Sequence, residues 1–559
     1  MKILLLNLTR FGDLLQTQPI ITGLHQEGHE VGLACLAHFA PAAALLENVH
    51  CLAAFPDANL LRNTAENWPA ALGELHEWKQ EVNSVLAPEL IINLTPTLSA
   101  RMLARYLSPP AANPLGFGVD EFGFGVNSNA WTTFLQASSR KRGNCPYNLV
   151  DVFRKICGLG AVPPVYRLHR HLAGNAEVGN TLQEAARQAL TQFAQKQTGT
   201  PAPDLLTGLL PTFKGFAAFQ LGASDDRRRW PSGYFARLGD LLWQRFGLVP
   251  LLLGAKNEAH LARKYAAAAK SPFIDLIGAT DLPGLAASLL SAEVLITNDT
   301  GTMHLAAGLG VPTLAIFLAT AQPWDTAAYQ EDICCLEPDL PDHPRAFDAP
   351  CPENCACRRL IEPETVFELT AARLEKGQWQ ADPATLAKKQ ARIWLTCRQA
   401  SDIDPEMFLD LKSLSGHEQT DRATWLRMQR YFLRHFLDNT LTEQNKASAP
   451  YNLTKRHASL SPDFLDAVKS ELREASLLLH LLQEQGNALA QHPIPLLKTR
   501  FMGTWQRLQT LWDNSPHFNV LGHLWICQTQ ELGDDLGTVL GLAAAYAELS
   551  TKWNDMLTP

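Results

Sequence analysis

Short, continuous apolar runs alternate with helical patterns over the first 375 residues, and this alternation constrains the fold more than any other feature. Apolar runs without regular polar alternation are typical of parallel strands that helices cover on both faces. The predicted class is therefore α/β, with right-handed crossovers between strands. Strands are predicted at residues 3–7, 31–36, 90–94, 216–221, 249–254, 274–277, 294–297 and 313–317.

The strand series restarts once, which predicts two doubly wound domains. Residues 197–210 are rich in Pro, Gly and Thr, as linkers often are, and a new strand follows them. We therefore expect one Rossmann-like domain at 1–195 and a second at 215–375. Beyond residue 380 only helical patterns are predicted, at 386–399, 424–437, 462–485, 495–512 and 536–557. An all-helical domain at 380–559 could serve as a scaffold, an oligomerisation surface or an acceptor-binding element.

Composition narrows the functional classes. The formal net charge of the 559 residues is −8, which argues against a general nucleic-acid binder because such proteins are usually basic. The apolar run at residues 3–6 is too short for the core of a signal peptide, and no run approaches the length of a membrane span. Eleven scattered cysteines suit a reducing compartment. We expect a cytoplasmic protein, and peripheral contact with the inner membrane remains open.

A first candidate site follows the first strand. Gly12 permits a tight turn after this strand, and a helix is predicted to begin near Asp13. Ligands of open α/β sheets bind beyond the carboxyl ends of the strands, so Asp13 is expected beside a ligand. Its carboxylate could accept the proton of an attacking hydroxyl. The alternative is that Asp13 only caps the helix.

A second candidate site follows the strand predicted at 294–297. Asp299 or Thr300 can cap the next helix, and Gly301 allows a ligand to approach the backbone closely. The free N–H groups and the positive dipole end of that helix suit a diphosphate, and the Thr300 and Thr302 hydroxyls can add donors. The alternative is an ordinary strand–helix unit with a capped helix.

Two neighbouring loops could complete the second site. Residues 222–231 contain Ser224 and three consecutive arginines, Arg227 to Arg229, which could offset the charge of a departing diphosphate. An arginine run is also a common solvated surface feature. Glu258 follows another strand and could accept hydrogen bonds from ribose hydroxyls, or it could cap a helix.

Taken together, these motifs resemble those of the heptosyltransferases of bacterial envelope biosynthesis, glycosyltransferase family 9. The similar segments are 11–19 and 298–307, with Trp230-Pro231, Gly254-Ala255 and the segments 116–118 and 148–151, and the resemblance extends over about 1–375. It implies a GT-B fold with two Rossmann-like domains facing a cleft. It also implies an inverting, metal-independent transfer without a cofactor, and the family's usual donor is ADP-L-glycero-D-manno-heptose.

The resemblance also implies roles for individual residues. Asp13 would be the general base, with Arg10 and Gly12 beside the acceptor. The donor would be bound by Ser224, Arg228, Glu258, Asp299, Thr300, Gly301, Thr302 and His304. Thr302 stands where the family commonly has Pro or Leu, and the helical part beyond 380 lies outside the family pattern. Lipopolysaccharide core, another glycan and a protein all remain candidate acceptors; the basic stretch Arg140–Arg142 could face an anionic acceptor or solvent.

Three alternatives stay open at this stage. Cys334, Cys351, Cys355 and Cys357 lie close enough in sequence for a structural metal site, although their spacing equally fits reduced thiols or an adventitious disulfide. Nucleotide-sugar epimerases share the two-domain architecture and would convert the donor without an acceptor. A degenerate transferase that serves as an assembly protein is the third alternative.

Overall fold

The computed structural model describes most of the chain. The described residues are 1–56, 67–110, 112–139, 145–160, 165–170, 176–198, 212–347, 349, 353–382, 386, 390–398, 406–441, 460–533 and 535–557. Residues 199–210 of the predicted linker and the basic stretch Arg140–Arg142 lie outside the described residues, whereas linker residues 197 and 198 end a helix.

A six-stranded sheet forms the first lobe, residues 1–170. Its strand order is β3-β2-β1-β4-β5-β6, with only β6 antiparallel to its neighbour. The strands are β1 Lys2–Leu6, β2 Glu30–Leu36, β3 Cys51–Phe55, β4 Leu90–Asn93, β5 Leu115–Val119 and β6 Gly125–Asn127. Its helices are α1 Phe11–Leu15, α2 Gln18–Gln26, α3 Ala40–Ala43, α4 Trp68–Val85, α5 Leu98–Leu107, α6 Ala130–Ser138 and α7 Leu149–Ile156. The next helix, α8 Ala176–Thr198, packs its buried residues against the second sheet and belongs with the second lobe.

An eight-stranded sheet forms the second lobe, residues 212–413. Its order is β14-β13-β12-β11-β10-β7-β8-β9, so the six parallel strands follow the Rossmann order 3-2-1-4-5-6. The strands are β7 Gly215–Gln220, β8 Leu248–Leu253, β9 Ile274–Asp275, β10 Ala292–Asn298, β11 Thr313–Ile316, β12 Cys334–Pro338, β13 Ala391–Cys397 and β14 Asp410–Ser413. Its helices are α9 Ser232–Phe246, α10 Ala259–Ala268, α11 Leu282–Leu290, α12 Gly301–Gly308, α13 Pro323–Thr326 and α14 Pro363–Lys376.

The α/β class and all eight predicted strands are confirmed. Strands β1, β4, β7, β8, β10 and β11 are nearly or completely buried, because helices cover both faces of each sheet. In both sheets the order changes direction beside the first strand, where β1 lies between β2 and β4 and β7 lies between β8 and β10. Ligand clefts form at such switch points, so the two candidate turns both lie at expected binding positions.

The prediction that everything beyond residue 380 is helical is wrong. Residues 391–397, expected to lie in a helix, form β13, which pairs antiparallel with β12 and with β14. The segment carries Ile393, Trp394 and Thr396, residue types that favour strands, and all three are buried. The second sheet therefore extends to Ser413, some 30 residues beyond the expected boundary.

From residue 421 onward the described residues form helices and no strand; residues 421–557 are called the helical extension below. Its helices are α15 Asp421–Leu437, α16 Pro462–Gln491, α17 Pro495–Asn514, α18 Asn519–Leu532 and α19 Leu536–Leu557. Val468, Leu472, Ala475, Leu479 and Leu482 form a buried stripe on α16, spaced as an amphipathic helix requires. The core of the extension is continuous with that of the two lobes. Among the described residues, no helix has the length and apolarity needed to cross a membrane.

Candidate active site

The two candidate turns touch each other at the boundary between the lobes. A β-carbon placed on Gly12 would lie 3.1 Å from the Gly301 Cα and 3.1 Å from the His304 Cδ2. A β-carbon on Gly301 would overlap the Phe11 ring and lie 3.2 Å from the Gly12 nitrogen. Any side chain at either position would separate the turns. The glycines therefore bring the start of α1 and the start of α12 into direct contact.

Asp13 lies in the first turn of α1, directly after the contact glycine. The helix begins at Phe11 and its N-cap is Arg10, so Asp13 is a first-turn residue and not the N-cap itself. Asn7, the residue after β1, donates from its side-chain nitrogen to the Asp13 carbonyl oxygen over 3.1 Å. Asp13 is half-buried and Arg10 is exposed. An acidic side chain in a first helical turn is stabilised by the helix dipole.

The start of α12 presents backbone donors to the same place. Thr300 is the N-cap, and its side chain makes no capping hydrogen bond. Its hydroxyl oxygen lies 3.3 Å from that of Thr297, and the buried Thr302 hydroxyl donates to the Gln220 side-chain oxygen over 3.0 Å. The first N–H groups of a helix have no partner within the helix. This terminus can therefore accept an anion, as the sequence predicts, although the Thr302 hydroxyl already has an acceptor.

His304 is the buried side chain one turn into α12. Burial lowers its pKa to about 4, and the nearby Asp299 carboxylate opposes that shift only in part. Its Nδ1 has no hydrogen-bond partner within the described part of the chain, while its backbone carbonyl accepts from the Tyr166 hydroxyl over 2.7 Å. The ring is therefore neutral near pH 7, and Nδ1 can bond to a ligand.

The three consecutive arginines are not a solvated surface run. Arg227 pairs with Asp225 at 2.7 Å, Arg229 pairs with Asp226, and Arg228 pairs with Asp299. Arg228 also donates to the Asp299 carbonyl over 3.0 Å, and its Nε is buried without a partner among the described residues. The pair joins the loop after β7 to the loop after β10. Arg228 is thus held at the edge of the α12 terminus.

Glu258 and Ser224 lie on the loops that flank this terminus. The Glu258 carboxylate accepts from the Ala255 N–H over 2.8 Å, which is a capping role, and one of its oxygens lies 3.9 Å from Arg229. A β-carbon on Gly222 would overlap the same carboxylate, so Glu258 covers the loop after β7. Ser224 is exposed and its hydroxyl lies 3.5 Å from Arg228.

Asn298 is a structural residue of the site that sequence reasoning did not single out. Its buried amide donates to the carbonyls of Leu221 and Gly222 over 2.9 and 3.2 Å. Its side-chain oxygen accepts from the Trp230 N–H over 2.9 Å. One side chain therefore fixes the whole arginine loop to the end of β10. The available signal was the position of an asparagine at the last residue of a buried strand.

The cysteine cluster remains untested as a metal site. Cys334 is buried in β12, and burial raises the pKa of its thiol far above the usual range. Cys357 is also buried, whereas Cys351 and the side chain of Cys355 lie outside the described residues. Within the described ranges, no group of three or more His, Cys, Asp or Glu side chains could hold a metal ion.

Comparison with known proteins supports the expected family for part of the chain. Residues 167–356 match the model of Glycosyltransferase family 9 (heptosyltransferase), which covers most of the second lobe. Lipopolysaccharide heptosyltransferase 1 of Pseudomonas aeruginosa is 30% identical over 155 residues, which are 28% of this chain and 41% of the relative. Lipooligosaccharide heptosyltransferase 2 of Haemophilus ducreyi is 30% identical over 129 residues, 22% of this chain and 34% of the relative.

The chain thus spans about two fifths of the first of these relatives and one third of the second. Among solved structures, a family 9 glycosyl transferase from Veillonella parvula aligns with a TM-score of 0.49 and 18% identity, covering 66% of this chain and 96% of that one. The resemblance expected from the sequence is confirmed for the second lobe, where the family model matches.

Proposed function

We propose that this chain, a relative of glycosyltransferase family 9, is a GT-B enzyme that transfers a heptose from ADP-heptose to a bacterial envelope glycan such as lipopolysaccharide core. The family match and the names of the heptosyltransferase relatives support the reaction class. The donor choice draws on a heptosyltransferase solved with an ADP-heptose analogue. We further propose a cytoplasmic location.

The second lobe supports binding of the donor diphosphate. The start of α12 supplies backbone N–H groups and the positive end of a helix dipole. Arg228 lies at its edge, and the neutral His304 has an unbonded Nδ1. These groups stabilise negative charge as the diphosphate departs, in a site where they are held in place before the reaction. The proposed donor site is completed by Ser224, Glu258, Asp299, Thr300, Gly301 and Thr302.

The first lobe supports activation of the acceptor. In the proposed step, an acceptor hydroxyl oxygen attacks the anomeric carbon of the sugar and its proton passes to the Asp13 carboxylate. The bond from that carbon to the diphosphate oxygen breaks, and the nucleoside diphosphate leaves with the electron pair. Attack opposite the leaving group inverts the anomeric configuration. Arg10 and Gly12 border the acceptor in this arrangement.

The observation that carries the proposal is the contact between Gly12 and Gly301. It brings the turn that holds Asp13 to the helix terminus that suits a diphosphate, with no side chain between them. A base and a leaving-group site on different lobes must lie this close to act on the same sugar. The family model begins at residue 167, so this contact extends the argument to the first lobe.

A two-part experiment tests the proposal. The protein is first screened for a rise in melting temperature with ADP-heptose, ADP and a UDP-sugar, since a ligand that binds the folded state stabilises it. It is then incubated with ADP-heptose and heptose-free lipopolysaccharide, and the mass of the glycolipid is measured. We expect stabilisation by ADP-heptose and a mass gain of one heptose.

Two results would contradict the proposal. Conversion of ADP-heptose to an isomer without any acceptor would identify an epimerase. Absence of stabilisation by every nucleotide sugar would favour a non-catalytic assembly protein. Transfer to another glycan or to a protein would retain the chemistry and replace the acceptor.

A further inference from the structure

A carboxylate of the helical extension contacts the wall of the first lobe. Helix α18 packs against α6, and Glu531 lies near the carboxyl end of α18. The Glu531 carboxylate accepts from the Asn127 side-chain nitrogen at the end of β6, and it accepts from the Thr133 hydroxyl over 3.2 Å. The extension therefore meets the β5–β6 hairpin through a charged group.

The contact continues inward through a buried arginine. Arg101, on α5, donates to the Asn127 side-chain oxygen over 3.0 Å. The same guanidinium donates to the Val126 carbonyl over 2.8 Å and to the Pro96 carbonyl over 3.0 Å. Burial lowers the pKa of Arg101, and the charge of Glu531 opposes that shift. Arg101 thus fixes the hairpin and the β4–α5 loop, and Glu531 stabilises its positive charge.

Hydrogen bonds connect the β4–α5 loop to the turn that holds Asp13. Thr95, which precedes Pro96, accepts from the Leu8 N–H through its hydroxyl oxygen over 2.9 Å. Leu8 follows Asn7, which donates to the Asp13 carbonyl. The end of β1 and the end of β4 are therefore tied together, and both are connected through Arg101 to the helical extension.

We propose that Glu531 is a positioning residue of the acceptor side of the cleft, through which the helical extension sets the β4–α5 loop and the β5–β6 hairpin. This inference rests on the proposed function, because the first lobe is taken to bind the acceptor. Glu531 itself is exposed, so its replacement leaves the packed core intact. Its effect is expected in the loops it orders and in acceptor binding.

The first test compares Glu531→Ala with Glu548→Ala. Glu548 lies on α19 of the same extension and pairs with Lys552 one turn away, at 3.0 Å. Amide hydrogen exchange is measured on the whole protein in segments 96–107 and 115–127, with α12 as the internal reference. We expect exchange in both first-lobe segments to accelerate roughly fivefold or more in Glu531→Ala, and α12 to be unchanged. Glu548→Ala should show the wild-type exchange rates in all three segments.

The second test separates acceptor from donor kinetics. With ADP-heptose and heptose-free lipopolysaccharide, Glu531→Ala should raise the acceptor KM about fivefold to tenfold, while the KM for ADP-heptose stays within about twofold. A merely structural role would lower the amount of active enzyme and leave both KM values unchanged.

Swapping the carboxylate of Glu531 and the amide of Asn127 tests their direct contact. Asn127→Asp places two carboxylates against each other and should disturb the same segments. Adding Glu531→Gln supplies an amide that can donate to the introduced carboxylate, so the double variant should return exchange in 115–127 towards the wild-type rate. Exchange and KM values of Glu531→Ala that equal those of Glu548→Ala would overturn the inference. If the wild-type protein transfers no sugar, the proposed function fails, and hydrogen exchange alone then decides the positioning role.

Discussion

Gly12 and Gly301 lie against each other across the boundary of the two lobes: a β-carbon on Gly12 would lie 3.1 Å from the Gly301 Cα, and one on Gly301 would overlap the neighbouring Phe11 ring. Neither glycine has a positive φ, so backbone conformation does not require glycine at these positions. It is the close approach of α1 and α12 that requires glycine at both positions. The two lobes therefore depend on these two residues for the spacing of their facing turns.

Gly301→Ala should separate the turns. The added β-carbon would overlap the Phe11 ring, and overpacking of this kind costs about 1–3 kcal/mol. We expect a lower free energy of unfolding and at least about tenfold weaker ADP-heptose binding, measured by urea denaturation and calorimetry. Gly73→Ala on α4 is the matched control, because its β-carbon meets nothing within 4 Å and should not destabilise the protein. Unchanged donor binding in Gly301→Ala would show that the spacing is not needed.

Asp13→Asn tests the proposed base. The amide has nearly the shape of the carboxylate but cannot accept the hydroxyl proton, and losing a general base typically costs about 10²–10⁴-fold in rate. We expect kcat for transfer to fall by that factor, while the melting-temperature shift with ADP-heptose is retained because the donor groups lie on the second lobe. Near-normal turnover of the variant would remove Asp13 from the reaction.

His304 should make stability depend on pH. Burial holds its pKa at about 4, below the ordinary value of 6.5, so between these values the unfolded chain takes up a proton that the folded protein does not. The free energy of unfolding should therefore fall as the pH falls from 6.5 to about 4, by up to about 3 kcal/mol from this residue. His304→Gln should remove that part of the slope in urea titrations at several pH values.

The exposed His25 provides the control for this measurement. His25→Gln should leave the difference in stability between pH 6.5 and pH 4 as in the wild-type protein. An identical pH slope for His304→Gln and the wild-type protein would show that His304 titrates normally in the folded state.

The sequence predicted the parts of the fold that depend on local patterns. All eight predicted strands form, because apolar runs are local signals. The two predicted turns also form, since glycines at strand ends are local signals too, and the structure brings these turns together. Strand β12 was not predicted, because Glu337 interrupts its apolar run. The Glu337 carboxylate is fully buried, and it pairs with residues distant in sequence, among them Arg422, 85 residues later.

The parts of the site that the sequence did not predict also depend on partners that are distant in the chain. Sequence position indicated that Asp299 and Arg228 could act separately on a ligand, yet they pair across two loops. Asn298 joins β10 to a loop more than 70 residues earlier, and no local pattern reports such a partner. The sequence therefore predicted the two turns better than it predicted which residues pair with each other around them.

The pair of the buried Glu337 and the partly exposed Arg422 leads to the last prediction, that the helical extension depends on this pair. Burial alone would raise the pKa of Glu337, but Arg422, with His343 and Arg392, outweighs burial and holds the pKa well below the usual range. Arg422 lies in the first turn of α15 and donates to Glu337 over 3.0 Å. Arg422→Met leaves a buried carboxylate without this partner, which costs about 3–5 kcal/mol. Urea denaturation followed by tryptophan fluorescence should show this loss.

A second substitution distinguishes charge burial from lost packing. Glu337→Gln removes the charge, so the double variant Arg422→Met with Glu337→Gln should be more stable than Arg422→Met alone, since no unpaired charge remains. Arg500→Met, at an exposed position on α17, should change stability by less than about 0.5 kcal/mol. Because the pKa of Glu337 is lowered in the folded state, its contribution is present above pH 4.5 and is lost as the pH falls, so the destabilisation by Arg422→Met should shrink in acid. A double variant no more stable than Arg422→Met would mean that packing, and not the ion pair, fixes α15 to the second sheet.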